Sequence, residues 1–177
     1  MRNSYPAVII LIIGCLILTG CQNDGQENPQ SGIGDEPILI EAVPSDSLAT
    51  GELTLLEQFS HDLNLDGSPE TIELYTAAER HESGEIIWDD GQEWLLLVRA
   101  GDKAYPLFSK YVQIGMVYFT VSEASGEEVP HITAMVSTGA GLSLRTYTFA
   151  KDRDAFQEEV VYTSPDDNFL FNSIPAY

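Results

Sequence analysis

From residue 51 to residue 177 the apolar side chains fall into short runs, each ended by a turn signal. Glu70-Thr71-Ile72-Glu73-Leu74-Tyr75 alternates polar and apolar, the period of a half-buried strand. The run 94–98 is apolar throughout, as in a strand covered on both faces, and 116–121 is aromatic and β-branched. The runs 132–136, 142–149 and 160–162 continue the style. Between them stand Asp66-Gly67, Asp90-Gly91, Gly101-Asp102, Ser125-Gly126, Gly139-Ala140-Gly141 and Lys151-Asp152-Arg153-Asp154. The spacing predicts an all-β domain over 51–177, an antiparallel meander of about eight or nine strands closed as a sandwich or curled sheet. Helical periodicity is confined to 53–59 and 76–82.

The other end of the chain reads differently. Residues 1–6 are short and polar, with Arg2 as the only side-chain cation; 7–18 are apolar apart from Gly14. Leu18-Thr19-Gly20-Cys21 follows directly. A charged start, a short apolar core and small residues at its end make a signal peptide, here 1–20. The apolar core falls short of the roughly 20 residues a spanning helix needs.

The four closing residues resemble the lipobox of bacterial lipoproteins. That resemblance implies a diacylglyceryl group on the Cys21 sulfur, cleavage between Gly20 and Cys21, and attachment to the cell membrane on its extracytoplasmic face. Two acyl chains hold where one is marginal, since each buried methylene contributes about 0.8 kcal/mol. Cys15 leaves with the leader, so the exported domain has no thiol for a disulfide or a cysteine zinc site.

Residues 21–50 read as a flexible linker after the lipidated cysteine. Gly, Pro, Ser, Asn, Gln and acids dominate, with one apolar cluster, Ile38-Leu39-Ile40, which offers an edge strand as the alternative. Eight basic against 28 acidic residues give a formal charge of −20. Removing the leader takes away Arg2 and no acid. Such a charge disfavours nucleic acid as a partner and disfavours lying flat on anionic lipid.

One segment carries recognisable chemistry: Asp62-Leu63-Asn64-Leu65-Asp66-Gly67-Ser68-Pro69-Glu70. Oxygen-bearing side chains alternate at 62, 64 and 66, with Gly67 where a chain wrapping a cation must turn. Calcium takes about six to eight hard oxygens at about 2.3–2.6 Å. Leu63 and Leu65 are left free to pack. The segment resembles the calcium loop of FG-GAP and VCBS-type β repeats. The resemblance implies a bound, structural Ca²⁺ held by Asp62, Asn64, Asp66, Ser68 and Glu70, in a loop joining two strands. Those repeats usually come in several copies; this chain carries one such loop. An EF-hand is the alternative, with Glu73 at the twelfth position, but Pro69 stands at its eighth and the residues that follow alternate like a strand.

A weaker pattern is an internal echo. Residues 59–74 align with 119–134, matching Phe59 to Phe119 and Ile72 to Ile132, and 98–103 align with 149–154.

The remaining candidates are read as structural. His61, His81 and His131 lack paired ligand spacing. Ser137 and Ser143 flank a glycine turn without a nucleophile motif. Glu85, Asp89, Asp90 and Glu93 form an acidic hairpin, and Trp88, Trp94, Tyr105, Tyr111, Tyr118 and Tyr147 fit core and cross-strand positions, with a carbohydrate or peptide groove as the alternative. The expectation is a non-enzymatic, calcium-stabilised β module, tethered by lipid, that binds or scaffolds an envelope or extracellular partner. The alternative is an extracytoplasmic glycan hydrolase using two of those four acids.

Overall fold

The computed structural model describes residues 37–123 and 129–164. The expected signal peptide 1–20, Cys21, residues 22–36 and the Ser125-Gly126 turn signal lie outside the described residues. The described chain is all-β: ten antiparallel strands in two five-stranded sheets. They are β1 (Ile38–Glu41), β2 (Val43–Pro44), β3 (Thr54–His61), β4 (Glu70–Thr76), β5 (Gly91–Ala100), β6 (Lys103–Gln113), β7 (Met116–Ser122), β8 (His131–Ser137), β9 (Leu142–Ala150) and β10 (Ala155–Thr163). One 3₁₀ turn, Ser45–Ser47, interrupts them.

The strands form two successive meanders. One sheet runs β2-β6-β5-β4-β3, the other β1-β10-β9-β8-β7. Each is a four-stranded meander capped by one short strand from the segment 38–44. The two stretches of the internal echo fall on equivalent places: the first hairpin of each meander, and the turn of its last hairpin.

Period-2 alternation sorts the side chains. Ile72, Leu74, Trp94, Leu96 and Val98 of the first meander meet Val117, Ile132, Ala134, Tyr147 and Phe156 of the second in one core. The outward set of β4 and β5 is buried too. Tyr75, Leu95 and Leu97 pack under Leu48 and Leu53. This explains the continuous apolar run 94–98: both faces of β5 are covered.

Three sequence readings are corrected. The linker does not extend to residue 50: β1 pairs with β10, β2 pairs with β6, and Leu48 packs on the sheet. Ile38-Leu39-Ile40 supplies enough apolar surface for an edge strand in spite of its acidic neighbours. The helical option at 53–59 is β3, which pairs with β4 and sends Leu56 toward the core. The option at 76–82 is a strand end and an irregular loop. There Arg80 bridges to Ile86 and Gly84 takes φ +92°, which a helix does not allow.

The chain changes sheets through two short corners, at Ala42 and at Ile114-Gly115. Gly115 is required at the second. A Cβ there would stand 2.0 Å from the Ser137 carbonyl oxygen.

Candidate functional site

The aspartate-rich segment is the connection between β3 and β4, residues 62–69, with Glu70 as the first residue of β4. Strands flank it on both sides, so it is the strand-joined loop and not an EF-hand. Glu73 is occupied elsewhere, by Arg99 and Tyr75 on the outer face of the sheet.

Leu63 anchors the loop. Its side chain is 1% exposed in the core, and its N–H donates to Glu70 Oε2 at 2.7 Å. Leu65 is the opposite case, exposed at φ +57°. The backbone between them folds around its own carboxylates. Asp62 accepts from the N–H groups of Asp66 (3.1 Å) and Gly67 (3.0 Å). Asn64 Oδ1 accepts from Asp66 N–H at 2.8 Å, and Asp66 Oδ1 from Ser68 N–H at 2.8 Å. Gly67 permits the turn with φ +92°.

The Asn64 amide donates to Asp66 Oδ2 at 3.1 Å and to Glu70 Oε1 at 2.8 Å. It joins two carboxylates that would otherwise repel, the place a cation would take. The structure therefore brings Asn64, Asp66 and Glu70 together. Asp62 lies beside them, turned to the backbone N–H groups, and Ser68 turns its N–H, and more weakly its hydroxyl, to Asp66. Among the described residues no three His, Cys, Asp or Glu side chains are arranged to hold a metal ion. The donor chemistry suits a hard cation; the conformation is closed by hydrogen bonds, and the Asn64 amide stands between the oxygens.

Two carboxyls respond oppositely to this setting. The Ser68 N–H, then the Asn64 amide, hold Asp66 below the usual carboxylate range. Burial pushes Glu70 up, and the nearby Asp66 and Asp62 charges add to that, against the bonds from Leu63 and Asn64. Glu70 is 4% exposed, a carboxyl inside the core edge.

The other residues weighed from the sequence are dispersed. Glu85, Asp89, Asp90 and Glu93 are all exposed, on the loop before β5 and at its start. His61 stacks on Phe59 (6.1 Å between ring centres) with Nε2 3.5 Å from Glu123 Oε1. His81 contacts Ser83, and His131 Nδ1 lies 3.1 Å from Thr148 Oγ1. Ser137 ends β8 and Ser143 lies in β9; Thr138 caps the glycine turn between those strands. Trp88 and Trp94 stack at 5.8 Å, Tyr105 and Tyr147 are core residues, and Tyr111 is 59% exposed, so the aromatics form no common groove.

A slot lies between β3 and β7, and of the aromatics weighed for a groove it takes Tyr118 alone. It is about 490 Å³ in volume and lined by Glu57, Gln58, Phe59, Tyr118, Phe119, Thr120 and Val121. The internal echo held the signal: it aligned Phe59 with Phe119, one from each wall.

No family model, curated protein or solved structure matches the chain.

Proposed function

We propose that the chain is a non-enzymatic module, anchored by a diacylglyceryl group on Cys21 to the extracytoplasmic face of the cell membrane, where its β sandwich binds or scaffolds a partner at the envelope. The observation that carries this reading is Leu18-Thr19-Gly20-Cys21 placed directly behind a short apolar core. The sandwich contains no cysteine, as suits a protein that need not form a disulfide outside the cell. The exposure of Glu85, Asp89, Asp90 and Glu93 also favours it, since glycoside hydrolysis needs two carboxylates facing each other across a cleft, about 5–10 Å apart.

Calcium completes the proposal. Asp62, Asn64, Asp66 and Glu70 would hold it, with Ser68 offering a carbonyl, and its role is structural. It supplies positive charge to a group of anions that includes the buried Glu70.

The deciding experiment follows the anchor. Cells expressing the full chain are fed an alkyne fatty acid, and the protein is fractionated. The wild type is labelled and sediments with membranes; Cys21→Ser is unlabelled and stays uncleaved or becomes soluble. Processed, membrane-bound wild type with an unmodified sulfur would overturn the anchor.

A further inference from the structure

We infer that residues 38–50 form a latch: a pull arriving along the tether peels them from the sandwich and lengthens the spacer, while both four-stranded meanders stay folded. The pull presupposes the lipid anchor proposed above; the order of opening does not.

Residues 38–50 stand between the tether and the first meander, so a pull on Cys21 reaches Ile38 before any residue of the meanders. β1 lies on the edge of β10, Ala42 turns the corner, and β2 lies on the edge of β6. Residues 45–50 then cross the outer face of the first sheet, where Leu48 covers Tyr75, Leu95 and Leu97.

Burial points the same way. No residue of 38–50 is fully buried. Ile40 and Ala42 are half-buried against the main core, and Leu48 against the smaller one. Every fully buried member of both cores belongs to the meanders or, as Leu63, to the β3–β4 loop. With the latch released, each sheet keeps four paired strands and its packed inner face. Three or more strands with an apolar face suffice for stability. Segments with few buried apolar contacts open ahead of the rest of a fold.

The latch is held unevenly along its length. β1 has four paired residues and β2 two. Ile38, opposite Glu158, is the outermost, so the pull loads that pair first and opens 38–41 in sequence instead of all at once. The firmer hold comes after them. Ser45 N–H donates to the Asp102 carbonyl at 2.8 Å, and Arg99 grips the Ser45 carbonyl and hydroxyl and Thr50 Oγ1. Arg99 is itself fixed by Glu73. The latch therefore yields in two stages, 38–44 and then 45–50, with the guanidinium as the stop between them.

Hydrogen exchange of the full chain in detergent, resolved by residue, reads the order without any pull. The amides of β1 and of Ser45 should open about tenfold more often than those of β5. Arg99→Lys should speed exchange at Ser45 about tenfold and leave β1 unchanged. Leu39→Cys with Gln157→Cys, which stand opposite each other, should slow β1 to the rate of β5 once oxidised and free it again on reduction. Force is then applied to the lipoprotein in a supported bilayer, through a bead on a tag inserted after the exposed Glu82. A step of about 4 nm, the length of 38–50 drawn out, should precede unfolding of the sandwich and vanish in the oxidised variant. Latch amides exchanging no faster than those of β5, or a first step that unfolds the whole sandwich, would overturn the inference. Chains that carry no acyl label or leave the bilayer before any step count against the anchor alone, since the exchange order is read without it.

Discussion

Arg99 reaches across from β5 to Glu73 of β4, its Nε donating to Oε2 at 2.7 Å on the face of the sheet turned away from the core. The same carboxylate oxygen accepts from the Tyr75 hydroxyl at 2.8 Å. The guanidinium also holds the segment that crosses this face, donating to the Ser45 carbonyl and hydroxyl (3.2 and 2.6 Å) and to Thr50 Oγ1 (3.3 Å). The pair thus fastens 45–50 over Tyr75, Leu95 and Leu97. With side chains 23% and 10% exposed, it is far from a surface ion pair. Arg99→Leu leaves Glu73 half-sealed without its cation and is expected to cost about 2–3 kcal/mol in urea unfolding. The double replacement with Glu73→Leu should cost less than the two single ones added, because neither charge is then stranded. An Arg99→Leu effect below about 0.5 kcal/mol would mean the pair behaves as an exposed one.

The calcium reading predicts a pH-dependent response. Glu70 has its folded pKa raised, mainly by burial. Its contribution to stability is therefore full below the unfolded glutamate value, about 4.3, and is lost as pH rises through the folded value. A cation that offsets the charge gains most at neutral pH. Millimolar calcium should raise Tm at pH 7, by an amount corresponding to about 2.7 kcal/mol if calcium stands at one hundred times its Kd. The gain should shrink as pH falls toward 4. Glu70→Gln and Asp62→Asn should remove most of it. A Tm unmoved by calcium and by chelator at pH 7 leaves the loop as a hydrogen-bonded turn.

How much of this was legible in the sequence depends on how many faces of each strand are covered. β5 read clearly because Trp94, Leu96 and Val98 enter one core while Leu95 and Leu97 enter the other. β3 did not, because at the end of its sheet among the described residues Leu55 and Phe59 are exposed and the remaining apolar spacing mimics a helix. β6 was hidden by Pro106. That proline sits where the register with β5 slips between Leu96 and Leu97, which leaves no unbroken alternation to find. The aspartate-rich loop announced its oxygens but not their partners. That the Asn64 amide bridges Asp66 and Glu70 depends on the β3–β4 register, which brings Glu70 opposite His61.

The corner between the sheets predicts opposite effects at adjacent residues. Ile114 is held at φ +47°, a conformation its branched side chain resists, and its side chain gains little by being 64% exposed. Its N–H bond to the Asp90 carbonyl, 2.6 Å, explains why the backbone stays there. Ile114→Asn keeps that bond and tolerates the conformation, so it should stabilise by about 1 kcal/mol. Gly115→Ala pushes a methyl group into the Ser137 carbonyl and should destabilise by about 3 kcal/mol. Denaturant midpoints of the two variants, measured beside wild type, should move in opposite directions; movement of both the same way would contradict the corner geometry.

Asp154 ties the two sheets together at the β9–β10 turn. Its carboxylate accepts from Lys103 Nζ at 2.5 Å and from the Tyr105 hydroxyl at 3.0 Å, both on β6 of the other sheet. Lys103, then Tyr105, hold its pKa below the usual value. A depressed carboxyl adds stability that is present above the unfolded aspartate value, about 3.9, and is lost as pH falls through the folded value. The pair is mostly exposed, with side chains 47% and 58% accessible, so the effect is small and screened by salt. Asp154→Asn suits the left-handed backbone at φ +49° and can still accept from Tyr105, and so removes the charge alone. Wild type should melt slightly above this variant between pH 5 and pH 7, and the two curves should merge at a pH below that of an ordinary aspartate. Melting temperatures that differ by the same amount at pH 2.5 as at pH 6 would show that the lost contact is not the ion pair.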